Sequence, residues 1–128
     1  MKIETIGHAC MVIRDDDGSP IMLTDPWLIG STYWRSWWLQ NYPSKELMAD
    51  LANVKYVYIT HEHMDHFHPP SIRKLGKGPT YVAPALPQEQ IVNYLQGKGF
   101  DSKVSVSYTH LRAHETSLHL VCRLLLEK

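Results

Sequence analysis

Four side chains that commonly bind metal ions stand close together in residues 60–66, which read THEHMDH. They are His61, His63, Asp65 and His66. Alternate residues of an extended segment point to the same side, so His61 and His63 can reach one cation. The chain can then turn, which lets Asp65 and His66 face a second cation nearby. Imidazole and carboxylate suit Zn²⁺, and also Fe²⁺ or Mn²⁺. The run therefore predicts a site for one or two ions, and a histidine-rich polar loop without metal is the alternative.

A short apolar segment must position this run. Residues 56–59 read YVYI and predict a strand that is buried on both faces. Loops that follow such strands are where an α/β scaffold usually carries its chemistry. The metal-binding residues are therefore expected at a strand end, on a rigid support.

The rest of the pattern predicts a β-meander followed by alternating strands and helices, which together indicate a mixed sheet covered by helices. An Asp-Gly pair gives the hairpin turn of the meander. Residues 25–43 are expected to be irregular. The other predicted elements are strands at 2–6, 10–14, 21–24, 81–82 and from 103, and helices at 45–51 (capped by Ser44), 70–75 and 87–96.

Composition sets broad limits on partners and location. Lys plus Arg and Asp plus Glu number 13 each, so nothing indicates nucleic acid or an anionic membrane as a partner. The 128 residues suit one modest domain, and Cys10 and Cys122 form no disulfide framework. No apolar run approaches a membrane span, and the N-terminus lacks a signal-type core. We therefore expect a cytoplasmic location, and the oligomeric state stays open.

The end of the sequence is expected to contribute no domain. Residues 106–116 read VSYTHLRAHET and residues 120–128 read LVCRLLLEK. Both resemble translations of a sequencing-library adaptor in one reading frame, and the gap between them has the usual length of a sample index. We therefore expect residues 106–128 to be adaptor-derived and exclude them from fold reasoning. This removes three histidines from the ligand candidates: His110, His114 and His119. A genuine amphipathic helix is the alternative.

The run in residues 61–66 matches the HxHxDH signature and so resembles the metallo-β-lactamase superfamily. The resemblance implies an α/β fold of the αββα sandwich type, of which residues 1–105 would form the N-terminal half. It also implies that His61 and His63 bind a first metal ion and that Asp65 and His66 bind a second. The further ligands of that family come from later chain, and no match for them is found here.

Two shorter motifs refine the resemblance. Residues 7–10 (GHAC) and 23–28 (LTDPWL) resemble the branch of ascorbate-6-phosphate lactonase-like and N-acyl-phosphatidylethanolamine phospholipase D-like proteins. The aromatic insert at 33–39 (YWRSWWL) resembles the CMP-N-acetylneuraminate hydroxylase-like members. This implies that Asp25 lies beside the metal site, where a carboxylate could orient a ligating imidazole. A turn cap is the alternative for Asp25, and a buried structural histidine is the alternative for a near-site His8.

Three tryptophans of the insert have two interpretations. Trp34, Trp37 and Trp38 could form a wall of a substrate pocket, since pockets are lined by aromatic groups with few polar ones. Alternatively they pack the long loop onto the sandwich, and packing is the favoured interpretation.

The expected function is metal-dependent hydrolysis of an ester, lactone, amide or phosphodiester bond in a small-molecule substrate. A bound Zn²⁺ would supply hydroxide near neutral pH, and Asp65 would act catalytically by holding the second ion and accepting the water proton. Because this sequence is expected to hold only the N-terminal half of the fold, the fragment by itself is expected to be inactive. One alternative is an oxygenase component like the sialic-acid hydroxylases, although the cysteine motif of their iron–sulfur domain is not found in this sequence. The other alternative is a non-catalytic metal-binding scaffold.

Overall fold

A six-stranded mixed sheet forms the centre of the fold in the computed structural model, which describes residues 1–85 and 89–105. Residues 106–128, predicted to be adaptor-derived, lie outside the described residues, as does the predicted start of the last helix at 87. The strands are β1 Lys2–Gly7, β2 Cys10–Arg14, β3 Pro20–Thr24, β4 Ser31–Thr32, β5 Trp37–Trp38, β6 Tyr56–Tyr58, β7 Thr80–Pro84 and β8 Ser102–Ser105. The helices are α1 Lys45–Leu51, α2 Pro69–Leu75 and α3 Gln90–Gly97.

The strand order of the large sheet is β1-β2-β3-β6-β7-β8. The pairs β1–β2 and β2–β3 are antiparallel, whereas β3–β6, β6–β7 and β7–β8 are parallel. The ends of β3 and β6 therefore lie at one edge of the sheet. The turn between β1 and β2 lies at the same edge, because β1 runs in the same direction as β3. Three separate parts of the sequence are brought together there.

Side chains alternate between the two faces of the sheet, as strand geometry requires. Leu23 and Val57 belong to the larger core cluster, which also contains the buried apolar residues of all three helices. Their neighbours Met22 and Tyr58 belong to a second cluster on the other face. The parallel strand β6 is thus buried on both sides, as predicted from its sequence.

Helix α1 begins as its sequence predicts. The Oγ atom of Ser44 accepts a hydrogen bond from the backbone N–H of Leu47 at 3.1 Å. Replacing Ser44 with Ala leaves that N–H without its partner and should lower the free energy of unfolding by about 1 kcal/mol. Urea unfolding followed by circular dichroism measures this change. An unchanged midpoint would show that water caps the helix equally well.

Most predicted elements are confirmed with shifts of one or two residues, but residues 25–43 are not wholly irregular. They contain the β4–β5 ribbon, in which Ser31 pairs with Trp38 and Thr32 with Trp37. Strands of two residues are too short to leave an alternating pattern in the sequence. The mixed sheet and three helices agree with the predicted N-terminal portion of a β-lactamase fold. The described residues contain no helix of sufficient length and apolar character to cross a membrane.

Candidate metal centre

The predicted site residues meet at the sheet edge formed by the ends of β3 and β6. Thr24 and Tyr58 are register partners in these parallel strands. The residue after each strand therefore leaves the sheet at the same place, and the backbone N–H of Asp25 donates to the Tyr58 carbonyl at 2.8 Å. His8 comes from the β1–β2 turn at this edge.

Asp25 accepts hydrogen bonds from Thr60 and His66 beneath the histidine rings, and it is only 4% exposed. Its Oδ1 accepts from the backbone N–H of Thr60 at 2.7 Å. Its Oδ2 accepts from Nδ1 of His66 at 2.9 Å. The carboxylate therefore holds His66 and the start of the histidine run in place, which goes beyond the turn-cap alternative.

Thr60 extends this network to His61. The Thr60 hydroxyl lies 3.0–3.1 Å from both carboxylate oxygens of Asp25. A carboxylate can only accept, so the hydroxyl donates its one proton to Asp25 and accepts from Nδ1 of His61 at 2.7 Å. Both His61 and His66 then carry a proton on Nδ1, which leaves Nε2 of each neutral ring with a free lone pair.

The histidine rings stand close together above this network. Nε2 of His61 lies 3.1 Å from Nδ1 of His63, and the centroids of His61 and His66 are 4.1 Å apart. Burial, together with the neighbouring His66 and His63 rings, lowers the pKa of His61 below its ordinary value. The His61 ring is therefore neutral near pH 7, which is the form that binds a metal ion.

Asp65 is the buried acid of the site, with 7% of its surface exposed. Its Oδ2 lies 2.6 Å from Nε2 of His8 and 3.3 Å from Nε2 of His66. Its Oδ1 accepts from the Tyr33 hydroxyl at 2.7 Å. Burial acts to raise the pKa of Asp65, but the hydrogen bonds from Tyr33 and His8 outweigh it and bring the pKa to about 2.

The environment of His8 differs from that of a buried structural histidine. Its side chain is 33% exposed, and its ring makes edge contacts with Trp27 and Trp37 at centroid distances of 5.4 and 6.1 Å. The two indoles fix the plane of the imidazole, and Nε2 faces Asp65. The structure therefore places His8 beside Asp65, and a role for His8 near a metal ion stays a prediction.

Backbone strain is concentrated at this site. Six non-glycine residues in the described ranges have positive φ, and five of them belong to the site or to the turn beside it: His8, Asp25, Tyr33, Trp34 and Arg35. Such conformations cost of order 1–3 kcal/mol each and cluster at functional sites, where the surrounding contacts hold them. The three consecutive residues at 33–35 form the turn that brings the Tyr33 hydroxyl to Asp65.

The tryptophans of the aromatic insert are more exposed than the packing interpretation predicts. Trp34 is 87% exposed, Trp38 58% and Trp37 49%. Trp37 contacts the rings of Tyr33 and His8, whereas Trp34 projects into solvent. The packing interpretation is wrong for Trp34, because the left-handed turn directs it away from the sheet. The pocket-wall interpretation stays a prediction.

Tyr33 is the site residue that the sequence reasoning missed, since the insert drew attention only to its tryptophans. Replacing Tyr33 with Phe removes a hydrogen bond to a buried carboxylate. Hydrogen bonds to charged groups stabilise folded proteins more than neutral ones do, so we expect a loss of stability larger than that for an exposed tyrosine with a neutral partner. Urea unfolding in the presence of a chelator measures this loss.

A second tyrosine of the same loop gives the matched control. The Tyr42 hydroxyl donates to the neutral carbonyl of Gly30 at 2.6 Å, on the exposed surface. Tyr42→Phe should therefore change the stability by less than about 0.5 kcal/mol. Equal losses in the two variants would contradict a special contact between Tyr33 and Asp65.

His68 does not belong to the cluster, although it follows the run directly. It is 5% exposed and caps helix α2 by accepting from the backbone N–H of Ser71. His68 is therefore a buried capping residue of α2.

The donor atoms of the site fit a divalent cation. Ring nitrogens of His61 and His63 lie 3.1 Å apart, and Nε2 of His66 lies 3.3 Å from Oδ2 of Asp65. Imidazole nitrogens and a carboxylate oxygen this close together can attract one cation jointly. One donor atom from each of His8, Asp65 and His66 lies within 4.8 Å of the others. Nitrogen and oxygen donors of this kind suit Zn²⁺, Fe²⁺ and Mn²⁺.

Comparison with known families agrees with this geometry. The family model described as the beta-lactamase superfamily domain matches residues 2–120. The chain belongs to the beta-lactamase superfamily. The match includes the histidine run and continues past Ser105, the last residue that the structure describes. The adaptor origin of residues 106–128 therefore stays a prediction.

Individual superfamily relatives match a shorter segment. The chain is 39% identical over 77 residues to a cytidine monophosphate-N-acetylneuraminic acid hydroxylase of Asterias rubens, and 42% identical over 72 residues to that of Danio rerio. It is 38% identical over 76 residues to a Homo sapiens protein named as an inactive form of this hydroxylase. These segments cover 60%, 56% and 59% of the chain.

The coverage of the relatives themselves is small. The chain spans 12% of the length of the Asterias and Danio proteins and 15% of the Homo sapiens protein. No solved structure matches the chain. The comparisons thus show the superfamily and a similarity to hydroxylases, and they do not show the activity of this chain.

Proposed function

We propose that the chain supplies one side of a metal-dependent catalytic site that hydrolyses an ester, lactone, amide or phosphodiester bond. The observation that carries this proposal is the close approach of ligand-type atoms of His61, His63, His66 and Asp65 above the Asp25 network. Membership of the beta-lactamase superfamily supports it. Zn²⁺ is the proposed ion, and the donor set also accommodates Mn²⁺ or Fe²⁺.

The residues of the chain have separate tasks in this proposal. A divalent ion bound there would lower the pKa of a coordinated water and so supply hydroxide near neutral pH. Asp25 holds His66 directly and His61 through Thr60, which keeps their Nε2 atoms aimed at the ion. Hydrogen bonds from Tyr33 and His8 lower the pKa of Asp65 and keep its carboxylate ionised, the form that binds a cation. We assign Asp65 to holding the ion, and its role in accepting the water proton remains a sequence prediction.

Hydroxylation of a nucleotide-linked sugar is the second candidate function. It is favoured by the identity of 38–42% to proteins named as cytidine monophosphate-N-acetylneuraminic acid hydroxylases. The same histidine and carboxylate donors suit iron as well as zinc. A small-molecule substrate is common to both candidates.

The test uses the protein as it is expressed from its own gene, with and without His61→Ala. Hydrolysis is measured on p-nitrophenyl acetate, a γ-lactone, an anilide and bis-p-nitrophenyl phosphate, before and after treatment with a chelator. The proposal predicts that at least one substrate is cleaved, that chelation removes the activity and that Zn²⁺ restores it only in the unsubstituted protein. Oxygen consumption with a CMP-linked sugar, without any hydrolysis, would favour the second candidate. Hydrolysis that survives chelation would contradict both.

A further inference from the structure

The His8 imidazole points a nitrogen at the same carboxylate oxygen as His66. Its Nε2 lies 2.6 Å from Oδ2 of Asp65, and Nε2 of His66 lies 3.3 Å from that oxygen. The ligand-type atoms of these three residues lie within 4.8 Å of one another. Atoms that bind one zinc ion at about 2.0–2.1 Å lie roughly 3–4 Å apart. Small side-chain rotations would therefore bring all three onto one ion.

The remaining polar atoms of Asp65 and His66 are already engaged from outside this triad. Oδ1 of Asp65 accepts from Tyr33, and Nδ1 of His66 donates to Asp25. These contacts leave Oδ2 and Nε2 directed at the position that His8 also faces. Supporting hydrogen bonds behind each ligating atom are the usual arrangement of a metal site.

The position of His8 is imposed by the fold. Its φ of +49° is in the left-handed region, and the β1–β2 register shifts between Thr5 and Gly7, immediately before it. The rings of Trp27 and Trp37 then restrict the imidazole plane. A side chain held by strain and by two indoles is preorganised for one contact partner.

We propose that His8 is a ligand of the metal ion held by Asp65 and His66, so that this chain alone supplies three ligands to that position. The inference rests on the proposed metal site and goes beyond it, because the signature run contains only two of the three residues. In the bound state His8 would be neutral with its proton on Nδ1. The competing explanation is that His8 only holds Asp65 by a hydrogen bond.

Two substitutions separate these explanations. His8→Gln keeps a hydrogen-bond donor for Asp65 but provides a poor metal ligand. His8→Cys provides a strong metal ligand but only a weak donor. Both place a non-glycine side chain at the same left-handed position, so the backbone strain is matched. Zn²⁺ is titrated into the full 128-residue chain, with calorimetry for affinity and elemental analysis for stoichiometry.

The expected result is two equivalents of Zn²⁺ for the unsubstituted chain and for His8→Cys. His8→Gln should weaken the second equivalent by about 100-fold, the effect expected for the loss of one metal ligand. The affinity for the first equivalent of Zn²⁺ should be unchanged in both variants, which shows that each variant is folded. If His8→Gln retained the second equivalent of Zn²⁺ and His8→Cys lost it, the proposal would be overturned. That pattern would identify a hydrogen bond that positions Asp65.

The other outcomes are equally decisive. A chain that binds one equivalent, unaffected by any substitution of His8, would overturn the proposal while leaving the proposed function standing. A chain that binds no Zn²⁺ would overturn the proposed function itself. His68→Asn is the matched histidine control, because Asn retains helix-capping ability and His68 lies outside the cluster. It should bind as the unsubstituted chain does.

Discussion

Replacement of Asp25 with Asn is expected to lower the affinity of the chain for Zn²⁺ by about 10- to 100-fold, although Asp25 touches no ion in the proposed arrangement. Its carboxylate accepts from His66 Nδ1, from the Thr60 N–H and from the Thr60 hydroxyl. The side-chain amide of Asn has one acceptor oxygen, and its NH2 group would face the Thr60 and His66 groups, which are themselves donors. The rings of His66 and His61 would then lose the hydrogen bonds that fix their tautomers.

A matched substitution controls for the chemical change. Oδ2 of Asp101 accepts from the Thr80 hydroxyl at 2.7 Å, on the exposed surface at the start of β8. Asp101→Asn should leave the Zn²⁺ affinity within about twofold, because the contact lies outside the cluster. Calorimetric titration at constant pH compares both variants with the unsubstituted chain. Equal affinity of Asp25→Asn and the unsubstituted chain would remove Asp25 from the site.

The second large effect is expected for His61→Ala. The apparent binding free energy of a structural zinc ion is about 10–16 kcal/mol over four ligands, so one ligand contributes roughly 3 kcal/mol. Loss of the His61 imidazole should therefore weaken the first equivalent of Zn²⁺ by about 100-fold or more. His63→Ala should have an effect of similar size, because Nδ1 of His63 lies 3.1 Å from Nε2 of His61.

Stability and binding can be separated in these variants. His61 and His63 are partly exposed or exposed, so their truncation should change the unfolding midpoint of the metal-free chain only slightly. Circular dichroism in the presence of a chelator measures that midpoint. A variant with a lowered unfolding midpoint and weak Zn²⁺ binding would indicate damage to the fold. Unimpaired Zn²⁺ binding by both variants would contradict the ligand assignment.

Much of the site could be predicted from the sequence because two regularities act together. The run at residues 61–66 has ligand-type side chains at fixed spacing, and the strand before it marks the sheet edge. A meander followed by a parallel strand then places the β1–β2 turn, which carries His8, and the end of β3, which carries Asp25, at that same edge. This topology explains why His8 and Asp25 lie near the run, whereas the sequence placed Asp25 there only through the family resemblance and left the role of His8 open.

Thr60 and Tyr33 could not be assigned in this way. Thr60 acts through a hydroxyl whose role depends on the carboxylate beneath it, and threonine after a strand has no specific pattern. Tyr33 reaches Asp65 because residues 33–35 adopt three consecutive left-handed conformations. None of the three is glycine, so the sequence favours ordinary backbone geometry there. Contacts across the chain decide this turn, and local propensity does not predict it.

The aromatic insert is where the sequence interpretation changed most. Tryptophans usually indicate packing, because their large apolar surface stabilises the fold when it is buried. Here Trp37 and Trp38 lie exposed in the short β4–β5 ribbon, Trp34 lies exposed in the turn between these strands, and Trp37 contacts the ring of His8. Contact of the tryptophans with substrate stays a prediction.

Nitrogen-15 NMR of the histidine rings, recorded on the chain before and after Zn²⁺ is added, tests the metal site most directly. The account predicts that Nε2 of His61, Nδ1 of His63 and Nε2 of His66 shift to values typical of metal-bound nitrogen. It also predicts that both nitrogens of His68 keep their positions. Unchanged ring signals of His61, His63 and His66 at saturating Zn²⁺ would contradict it.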